Sequence, residues 1–348
     1  MPEVSGAIEA GETAPPHRGN GGLAVVKTGV LVVGWLVVGV LGLVALLRLV
    51  AWDSLEPLIV LDALTLIIYL PAWVVAAVAL IARRWWLAAA AAVLVAAQVA
   101  FVLPELSAAS PAPPWARHAP VVRLLDAGVD SSMIFHAGYV RAIEQDRPDV
   151  ITLTEFTPPA LQSMMASGVL ASYPYRCEAP AFGATGFLIA SRMRLTGCQV
   201  RTVFSVSDGQ TPYMVEATLW SPGGPVALRL AHTLAPFPST WQEWKTALAA
   251  VDRSVSASDD SRMLMVGDFN ATWGNSGFVT LLHRGLTDGA AARGKATDMT
   301  WPNGAIVAPF VRIDHVLTGT HLAVTGITAK AGFGSDHRYL DATIAIQR

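Results

Sequence analysis

Three long apolar stretches near the beginning of the chain constrain its fold more than any other feature. They cover residues 28–47, 58–82 and 87–103, and the second is interrupted only by Asp62 and Pro71. About 20 residues of helix cross the hydrocarbon core of a bilayer. A chain with 53% apolar and 14% charged residues is also too apolar for an ordinary soluble enzyme. The sequence therefore predicts a plasma-membrane anchor of three transmembrane helices.

The basic residues beside these stretches predict how the anchor is oriented. Arg18 and Lys27 precede the first stretch, and Arg83 and Arg84 lie between the second and the third, whereas the connection after the first stretch is acidic. Because basic residues in short flanks stay on the cytoplasmic side, we expect a cytoplasmic N-terminus and an extracytoplasmic position for everything after the third helix. A cleaved signal peptide is the alternative for the first stretch, but no small-residue cleavage pattern follows it.

Composition divides the chain into four parts. Residues 1–22 are rich in Gly, Glu and Pro and are predicted to form a disordered cytoplasmic tail. The three-helix anchor occupies residues 23–103, and a semi-rigid linker rich in Pro and Ala follows over residues 104–120. Residues 121–348 are predicted to form one domain, which is long enough to bury a large core.

The two cysteines of the chain, Cys177 and Cys198, both fall in the part predicted to lie outside the cytoplasm. In such a compartment a cysteine pair forms a disulfide more often than a metal site. Strands are predicted beside both residues, and a hairpin would bring the two thiols together. Two unpaired buried thiols are the alternative.

The outer domain alternates short β-rich runs with helical patterns. Strands are predicted at residues 121–129, 150–155, 187–191, 213–220, 226–232, 262–268, 312–317, 322–328 and 339–346. Helices are predicted at residues 137–145, 159–167 and 240–256. This excess of strands, with helices between them, indicates two sheets packed face to face with helices on the outside.

Chemically active residues stand at the ends of several predicted strands. Glu155 closes an apolar run, Asp268 and Asn270 follow another, and Asp314 and His337 lie in two further short segments. A strand that ends in a carboxylate or an imidazole delivers that group to one rim of a sheet, so several such strands can converge on one pocket. The pattern is typical of a metal-assisted hydrolase.

These residue types suit the hydrolysis of a phosphoester. The reaction needs an activated water, neutralisation of the phosphoryl oxygens and help for the leaving oxygen. His337 can take the proton of the water when a carboxylate holds its other ring nitrogen. Glu155, together with Asp336, supplies the oxygen ligands that Mg²⁺ or Mn²⁺ prefers. Asp268 and Asn270 share one side of an extended segment, where Asn270 can donate to a phosphoryl oxygen and Asp268 can orient water or the leaving group.

Each of these residues also has a simpler structural interpretation. Glu155 can cap a helix, Asp268 and Asn270 can form an Asx turn, and His232 can be a hydrogen-bonded histidine at a strand end. Each motif is weak evidence alone, and their joint occurrence favours a site. His315 points to the face opposite Asp314 and is predicted to be structural. His283, Asp288 and Asp298 are interpreted as polar loop residues with no further role.

Residues 121–348 resemble the endonuclease/exonuclease/phosphatase superfamily, the DNase-I-like proteins that include deoxyribonucleases, abasic-site endonucleases, bacterial sphingomyelinases and inositol polyphosphate phosphatases. Three motifs carry the resemblance in family order and at family spacing: Gly267-Asp268-Phe269-Asn270, Thr300-Trp301-Pro302 with Arg312-Ile313-Asp314, and Ser335-Asp336-His337. The resemblance implies a four-layer α/β sandwich with the site at one sheet edge. It also implies that Asp314 orients His337, and that His232 donates to the phosphate or protonates the leaving oxygen.

One departure from the family pattern concerns the end of the first predicted strand. The family usually places there an asparagine that contributes to the metal and phosphate site, whereas this chain has Asp126 and Asp130. Either aspartate can substitute as a metal ligand, which adds negative charge and tightens cation binding. The alternative is a reduced metal site, with a changed substrate or lost activity.

Charge and tethering guide the choice of substrate. The domain is almost neutral, because from residue 121 onward it carries 18 Lys and Arg against 19 Asp and Glu. Nonspecific nucleic-acid binders use clustered cations, so phosphoesters of lipid head groups or of envelope precursors rank ahead of nucleic acid as partners. The tether also holds the domain near membrane lipid. A catalytically silent sensor or scaffold that binds a phosphorylated ligand, and an extracytoplasmic nuclease, are the alternatives.

Overall fold

The computed structural model describes residues 21–129, 137–205, 209–256, 260–304, 306–331 and 334–348. Most of the predicted N-terminal tail and the candidate ligand Asp130 lie outside these ranges. Within them the α-helices are α1 (Gly21–Ala51), α2 (Glu56–Ala63), α3 (Thr65–Ile68), α4 (Leu70–Ile81), α5 (Trp85–Leu106), α6 (Ala137–Asp146), α7 (Pro158–Ala166), α8 (Trp241–Ser256), α9 (Ser276–His283) and α10 (Gly289–Ala292). Short 3-10 helices are Pro114–Arg117, Val169–Ser172, Gly183–Thr185 and Asp260–Arg262.

The strands form two mixed sheets. They are β1 (Val121–Gly128), β2 (Val150–Thr154), β3 (Tyr175–Ala179), β4 (Phe187–Ser191), β5 (Leu195–Ser205), β6 (Gly209–Ser221), β7 (Gly224–His232), β8 (Met263–Asp268), β9 (Thr287–Asp288), β10 (Asp314–Thr318), β11 (Leu322–Lys330) and β12 (Tyr339–Ile346). The first sheet has the order β11-β12-β1-β2-β4-β3 and the second has the order β5-β6-β7-β8-β10-β9. One parallel pair lies inside each sheet, β1 with β2 and β7 with β8. The predicted strands 187–191 and 339–346 agree with β4 and β12 at both ends.

The core is layered, as the alternation of side chains along the strands requires. Leu124 and Leu228 lie in one buried cluster between the two sheets. Leu125, the neighbour of Leu124, points the other way and packs with Tyr139 of α6. On the far side, Trp244 of α8 packs against the outer face of the second sheet. Two mixed sheets flanked by helices thus confirm the predicted α/β arrangement.

The two cysteines form a disulfide between the two sheets. Cys177 lies on β3 and Cys198 on β5, which are edge strands of different sheets, and their Cα atoms are 5.7 Å apart. The pairing was predicted. The expected hairpin is present between β3 and β4, but it does not bring the thiols together, because Cys198 lies on β5 of the second sheet. The bridge instead closes one side of the sandwich.

The membrane-spanning prediction needs one correction. Among the described residues two helices are long and apolar enough to cross a membrane, within Val25–Ala51 and Trp85–Leu106. The second predicted span is not one continuous helix, because α2 and the following helical segment are bent by 74° at a short break. The count is therefore two, or three if the bent pair is one span.

Polar contacts explain the break in the second stretch. Asp62 is buried and accepts a hydrogen bond of 3.1 Å from Arg48 Nη1, while its carbonyl accepts one of 2.5 Å from Thr65 Oγ1. Pro71 stands in the first turn of α4, where its missing N–H costs no helical hydrogen bond. The helix is therefore interrupted next to Asp62 and Pro71, the two residues that also interrupt the apolar pattern of the sequence.

The predicted linker packs against the outer domain. Helix α5 continues through Pro104 to Leu106, and Ser110 N donates to Ala292 O at 3.1 Å. Farther on, Ala116 packs with Ala323 and Ala345 beside the first sheet. This segment therefore fixes the position of the domain relative to the helices.

A buried polar junction joins the helical anchor to the outer domain. Asp53, which follows α1, accepts hydrogen bonds from Asn275 Nδ2 at 3.1 Å and from Ser276 Oγ at 2.9 Å, as well as from the backbone N–H of Ser276. Arg48 and Trp52 both donate to Gly274 O, at 2.9 and 2.8 Å. The anchor therefore caps α9 and holds the loop between β8 and α9.

A second buried contact links α5 to the segment that precedes β10. Arg312 pairs with Glu105 at the end of α5 and with Asp288, whose Oδ2 lies 2.7 Å from Arg312 Nη1. His315 Nδ1 lies 3.0 Å from the same Asp288 oxygen, and its Nε2 lies 2.9 Å from Ala271 O. His315 is structural, as predicted, whereas the interpretation of Asp288 as loop polarity was wrong.

Loss of the disulfide is expected to destabilise the outer domain. In the double variant Cys177→Ser with Cys198→Ser the unfolded chain regains the freedom of a loop with a sequence separation of 21, which costs roughly 2–4 kcal/mol. Thermal unfolding of the full-length protein in detergent, with and without reductant, measures the effect. Reductant should lower the midpoint of the wild type and leave that of the variant unchanged; an equal response of both proteins would contradict the prediction.

The Asp288→Asn substitution is expected to destabilise the protein by about 3 kcal/mol, because it leaves the Arg312 guanidinium buried with one fewer carboxylate. Asparagine keeps the shape and the N-capping oxygen, so the change isolates the charge. The control is Asp252→Asn, which removes the carboxylate of the more exposed pair with Arg284 and should cost about 0–1 kcal/mol. Equal shifts of the two unfolding midpoints would contradict the conclusion that Asp288 neutralises the buried Arg312.

Candidate active site

The sheet topology brings five strand ends to one edge of the sandwich. Parallel pairing places the ends of β1 and β2 side by side, and likewise those of β7 and β8. Strand β10 runs antiparallel to β8 with Asp314 opposite Asp268, so the beginning of β10 lies at the same edge. Glu155 follows β2 and His232 ends β7. The predicted convergence on one rim is therefore present.

The central contact of this edge is a hydrogen bond between His337 and Asp314. His337 Nδ1 lies 2.9 Å from Asp314 Oδ2, and the backbone N–H of His337 donates to Ser335 Oγ at 3.0 Å. Both side chains are buried. The contact leaves His337 Nε2 directed toward Asp268, whose Oδ2 lies 3.9 Å away.

Electrostatics strengthen this pair. Burial alone would lower the pKa of His337, but the charge and the hydrogen bond of Asp314 outweigh burial and raise that pKa to about 10. Burial alone would raise the pKa of Asp314, and the His337 imidazole reverses this and holds it below its ordinary value. Without a cation, the pair thus holds one proton on the imidazole at neutral pH.

Asp268 and Asn270 form a tight local turn. Asn270 has a left-handed φ of 44°, and its backbone N–H donates to Asp268 Oδ1 at 2.7 Å. Its side-chain amide donates to Thr233 O at 2.7 Å and to Asp268 Oδ2 at 3.1 Å. Both amide hydrogens therefore have protein acceptors, so Asn270 orients Asp268 in this structure. Burial and then the neighbouring Asp314 raise the pKa of Asp268 well above its ordinary value.

His232 connects Asp268 to Glu155. Its Nε2 lies 3.6 Å from Asp268 Oδ2 and 3.9 Å from Glu155 Oε1. Burial lowers the pKa of His232 despite the nearby Glu155, so the imidazole tends toward its neutral form. Glu155 has a φ of 55°, a left-handed conformation that is costly for a glutamate and is common at functional sites. Its side chain is 24% exposed at the mouth of the site.

Asp126, which stands where the resemblance implies asparagine, is only 2% exposed. It accepts a hydrogen bond of 2.7 Å from Thr152 Oγ1. Burial raises the pKa of Asp126 to about 8. A protonated carboxyl group combines one donor with one acceptor, as a side-chain amide does, so Asp126 can take the place of asparagine without adding a charge near neutral pH.

Asp336 lies beside the pair but its side chain is exposed. Its Oδ2 accepts a hydrogen bond of 3.0 Å from Trp301 Nε1, and its carbonyl accepts one of 2.6 Å from Asn303 N. Sequence reasoning assigned no role to Trp301 or Ser335, although both lie within the motifs that carried the resemblance. The position of Ser335 two residues before His337 is the signal that could have identified it.

Among the described residues, three can offer ligand atoms to one cation: oxygens of Asp268 and Asp314 and a ring nitrogen of His337 lie within 4.8 Å of one another. Carboxylates suit Mg²⁺ and Mn²⁺, and an imidazole is compatible with Mn²⁺. The donor set therefore fits a divalent cation. The predicted ligands Glu155, Asp126 and Asp336 lie around this trio, and their role as ligands stays a prediction.

Comparison with known proteins agrees with this geometry. The sequence model described as the Endonuclease/Exonuclease/phosphatase family matches residues 129–337, which is more than half of the chain. No curated protein matches the chain.

Solved structures share the fold at low sequence identity. A humanized TDP2 of D. rerio is 18% identical, with a TM-score of 0.53 over 64% of this chain and 98% of that one. A protein described as an endonuclease/exonuclease/phosphatase from Bacteroides vulgatus is 14% identical, with a TM-score of 0.52 over 65% and 99%. The 3'-5' exonuclease NExo from Neisseria meningitidis is 15% identical, with a TM-score of 0.50 over 65% and 100%. With its buried acid–imidazole edge and its family match, this chain belongs to the endonuclease/exonuclease/phosphatase family.

Proposed function

We propose that the protein is a divalent-metal-dependent phosphoesterase, anchored in the plasma membrane, with its active site outside the cytoplasm. The observation that carries the proposal is the buried Asp314–His337 pair at 2.9 Å, placed beside Asp268 and His232 at one sheet edge. The arrangement provides a base, His337, with its orienting carboxylate, Asp314. It also provides a second imidazole, that of His232, on the other side of Asp268. These are the groups that phosphoester hydrolysis requires.

His337 in its deprotonated form acts as the base, because its Nε2 faces the site while Asp314 holds Nδ1. It takes the proton of the attacking water as that water approaches the phosphorus. Asp268, oriented by Asn270, positions the water. His232 donates to a phosphoryl oxygen or to the leaving oxygen. Glu155 and Asp336, the predicted acidic ligands, would hold Mg²⁺ or Mn²⁺, which would supply positive charge to the phosphoryl oxygens.

The orientation of the helices supports three crossings. The C-terminal ends of α1 and α5 both contact the outer domain, through Arg48 and Glu105. If α1 and α5 both cross the bilayer, the segment between them returns across it, and the bent helices α2 to α4 provide that return. Lys27, Arg83 and Arg84 lie at the opposite end, which the distribution of basic residues assigns to the cytoplasm. The disulfide agrees with an oxidising compartment outside it.

The substrates that fit this placement are phosphoesters of lipid head groups or of envelope precursors. Asn270 lies four residues before Gly274, which contacts the end of α1. Four residues span at most about 14 Å, so the catalytic edge lies close to the membrane surface. The nearly neutral domain also lacks the excess of Lys and Arg that nonspecific nucleic-acid binding requires.

The His337→Ala variant of the full-length protein is expected to lose phosphoesterase activity, because it lacks the base. The assay compares vesicle-borne phospholipid, bis(4-nitrophenyl) phosphate, 4-nitrophenyl phosphate, an inositol phosphate and plasmid DNA, with Mg²⁺ or Mn²⁺ and after chelation. His321→Ala, at an exposed histidine, is the control and should retain activity. Binding without turnover by the wild type would favour the silent sensor, and preferential, salt-sensitive cleavage of DNA would favour a nuclease.

The Asp314→Asn variant is expected to lower kcat by about 10²–10⁴-fold, because the His337 imidazole is no longer oriented and stabilised. In the wild type Asp314 outweighs burial and raises the pKa of His337 to about 10. Removing that charge lets burial lower the pKa, so the acidic limb of the pH–rate profile should move to lower pH. Glu178→Gln, in the surface pair with Arg176, is the control. An unchanged limb would contradict the role of Asp314.

A further inference from the structure

The edge of the domain that carries the site also carries large apolar side chains that protrude into solvent. Phe182 is 76% exposed and Phe237 is 66% exposed, while Ile306 is fully exposed and Val307 is exposed beside it. Large apolar side chains that are exposed together along one edge of a domain point to an interaction surface. We define Phe182, Phe237, Ile306 and Val307 as the apolar rim.

Each member of the apolar rim lies on a loop next to a site residue. Phe182 is in the connection between β3 and β4, which meets the end of β2 where Glu155 follows. Phe237 follows β7, five residues after His232. Ile306 and Val307 lie in the loop that is closed by the bridge between Trp301 and Val311.

The loops that present these side chains are held by backbone hydrogen bonds. Phe237 O accepts from the N–H groups of Thr240 and Trp241, both at 2.9 Å, which fixes the turn before α8. Phe310 N donates to Trp301 O at 3.0 Å at the base of the other loop. The apolar side chains are therefore presented outward from ordered turns.

Contacts of the anchor indicate which way this edge faces. Helices α8 and α9 both begin at the edge that carries the site, because they follow β7 and β8. A residue near the start of each helix contacts Asp53, two residues after α1: Lys245 Nζ donates to Asp53 O at 3.1 Å, and Ser276 Oγ donates to the Asp53 carboxylate at 2.9 Å. The site edge is thus the edge nearest the end of the membrane-spanning helix α1.

We propose that the apolar rim inserts into the outer leaflet of the membrane and presents the active site to phosphoesters of lipids within that leaflet. The inference rests on the proposed membrane orientation and names the bilayer as the partner of this surface. Aromatic and aliphatic side chains at the head-group boundary gain from removal of apolar surface from water. The anchor holds the rim at the membrane, so insertion costs little further freedom.

Site-directed labelling tests the contact without requiring turnover. Both cysteines of the chain are in the disulfide, so a single introduced cysteine takes an environment-sensitive fluorophore selectively. Ile306→Cys and Phe237→Cys are labelled in the full-length protein in phosphatidylcholine vesicles that contain phosphatidylglycerol. Trp220→Cys is the control, because Trp220 is 48% exposed beside the β6–β7 turn at the opposite edge.

We expect blue-shifted emission at positions 306 and 237, quenched by lipids that carry a nitroxide on the acyl chain, and water-like emission at position 220. If Phe237→Cys disturbs the turn before α8, Val307→Cys replaces it. Water-like, unquenched emission at all three positions would overturn the proposal.

Kinetics separate the rim from the catalytic proposal. The double variant Phe237→Ser with Ile306→Ser should hydrolyse vesicle-borne lipid at least about tenfold more slowly, because loss of two membrane-inserted apolar side chains weakens membrane contact. Its hydrolysis of bis(4-nitrophenyl) phosphate should equal that of the wild type. An equal loss of activity on both substrates would refute the proposed insertion of the apolar rim into the membrane. If the labels are quenched but the protein hydrolyses neither substrate, the proposed phosphoesterase activity would be refuted. The proposed insertion of the apolar rim would still be supported.

Discussion

Parallel pairing within each sheet is the constraint on which the site depends. Two parallel strands end at the same edge of a sheet, so Glu155 follows β2 beside the end of β1, and His232 ends β7 beside the end of β8. The antiparallel partner β10 then starts where β8 stops and sets Asp314 opposite Asp268. The inter-sheet core fixes the two edges relative to each other, and residues that are distant in sequence meet without a long loop.

The concentration of acids at this edge has an electrostatic consequence. Asp126, Asp268 and Asp314 are all buried there, and water cannot screen their mutual repulsion. Burial, and then the charge of Asp314, raises the pKa values of Asp126 and Asp268, while His337 keeps a proton and Asp314 keeps its charge. A divalent cation held by these acids would supply the compensating charge in place of that proton, which would link metal binding to proton release.

The anchor is part of the architecture that supports the site. Asp53 holds the loop that begins at Asn270, and Glu105 pairs with Arg312, two residues before Asp314. The ends of two apolar helices are therefore connected through buried hydrogen bonds to two of the segments that carry site residues. In this chain the contacts that join the apolar helices to the domain also support the geometry of the site, and an isolated outer domain would expose Asn275 and Arg312 to water.

The sequence by itself determined the features that depend on neighbouring residues: the apolar stretches, the limits of strands such as β4 and β12, and the placement of Asp268, Asp314 and His337 beside strand ends. Its motifs also indicated the family. Tertiary structure alone decided the break at Asp62, which Arg48 stabilises, the burial of Asp288 with Arg312, and the use of the Asn270 amide to orient Asp268. Each of these three features depends on which partner a buried polar group finds, and that partner can be distant in the sequence. Local patterns show whether a segment is apolar and how its apolar residues are spaced. The pairing of buried charges is settled only when distant segments pack together.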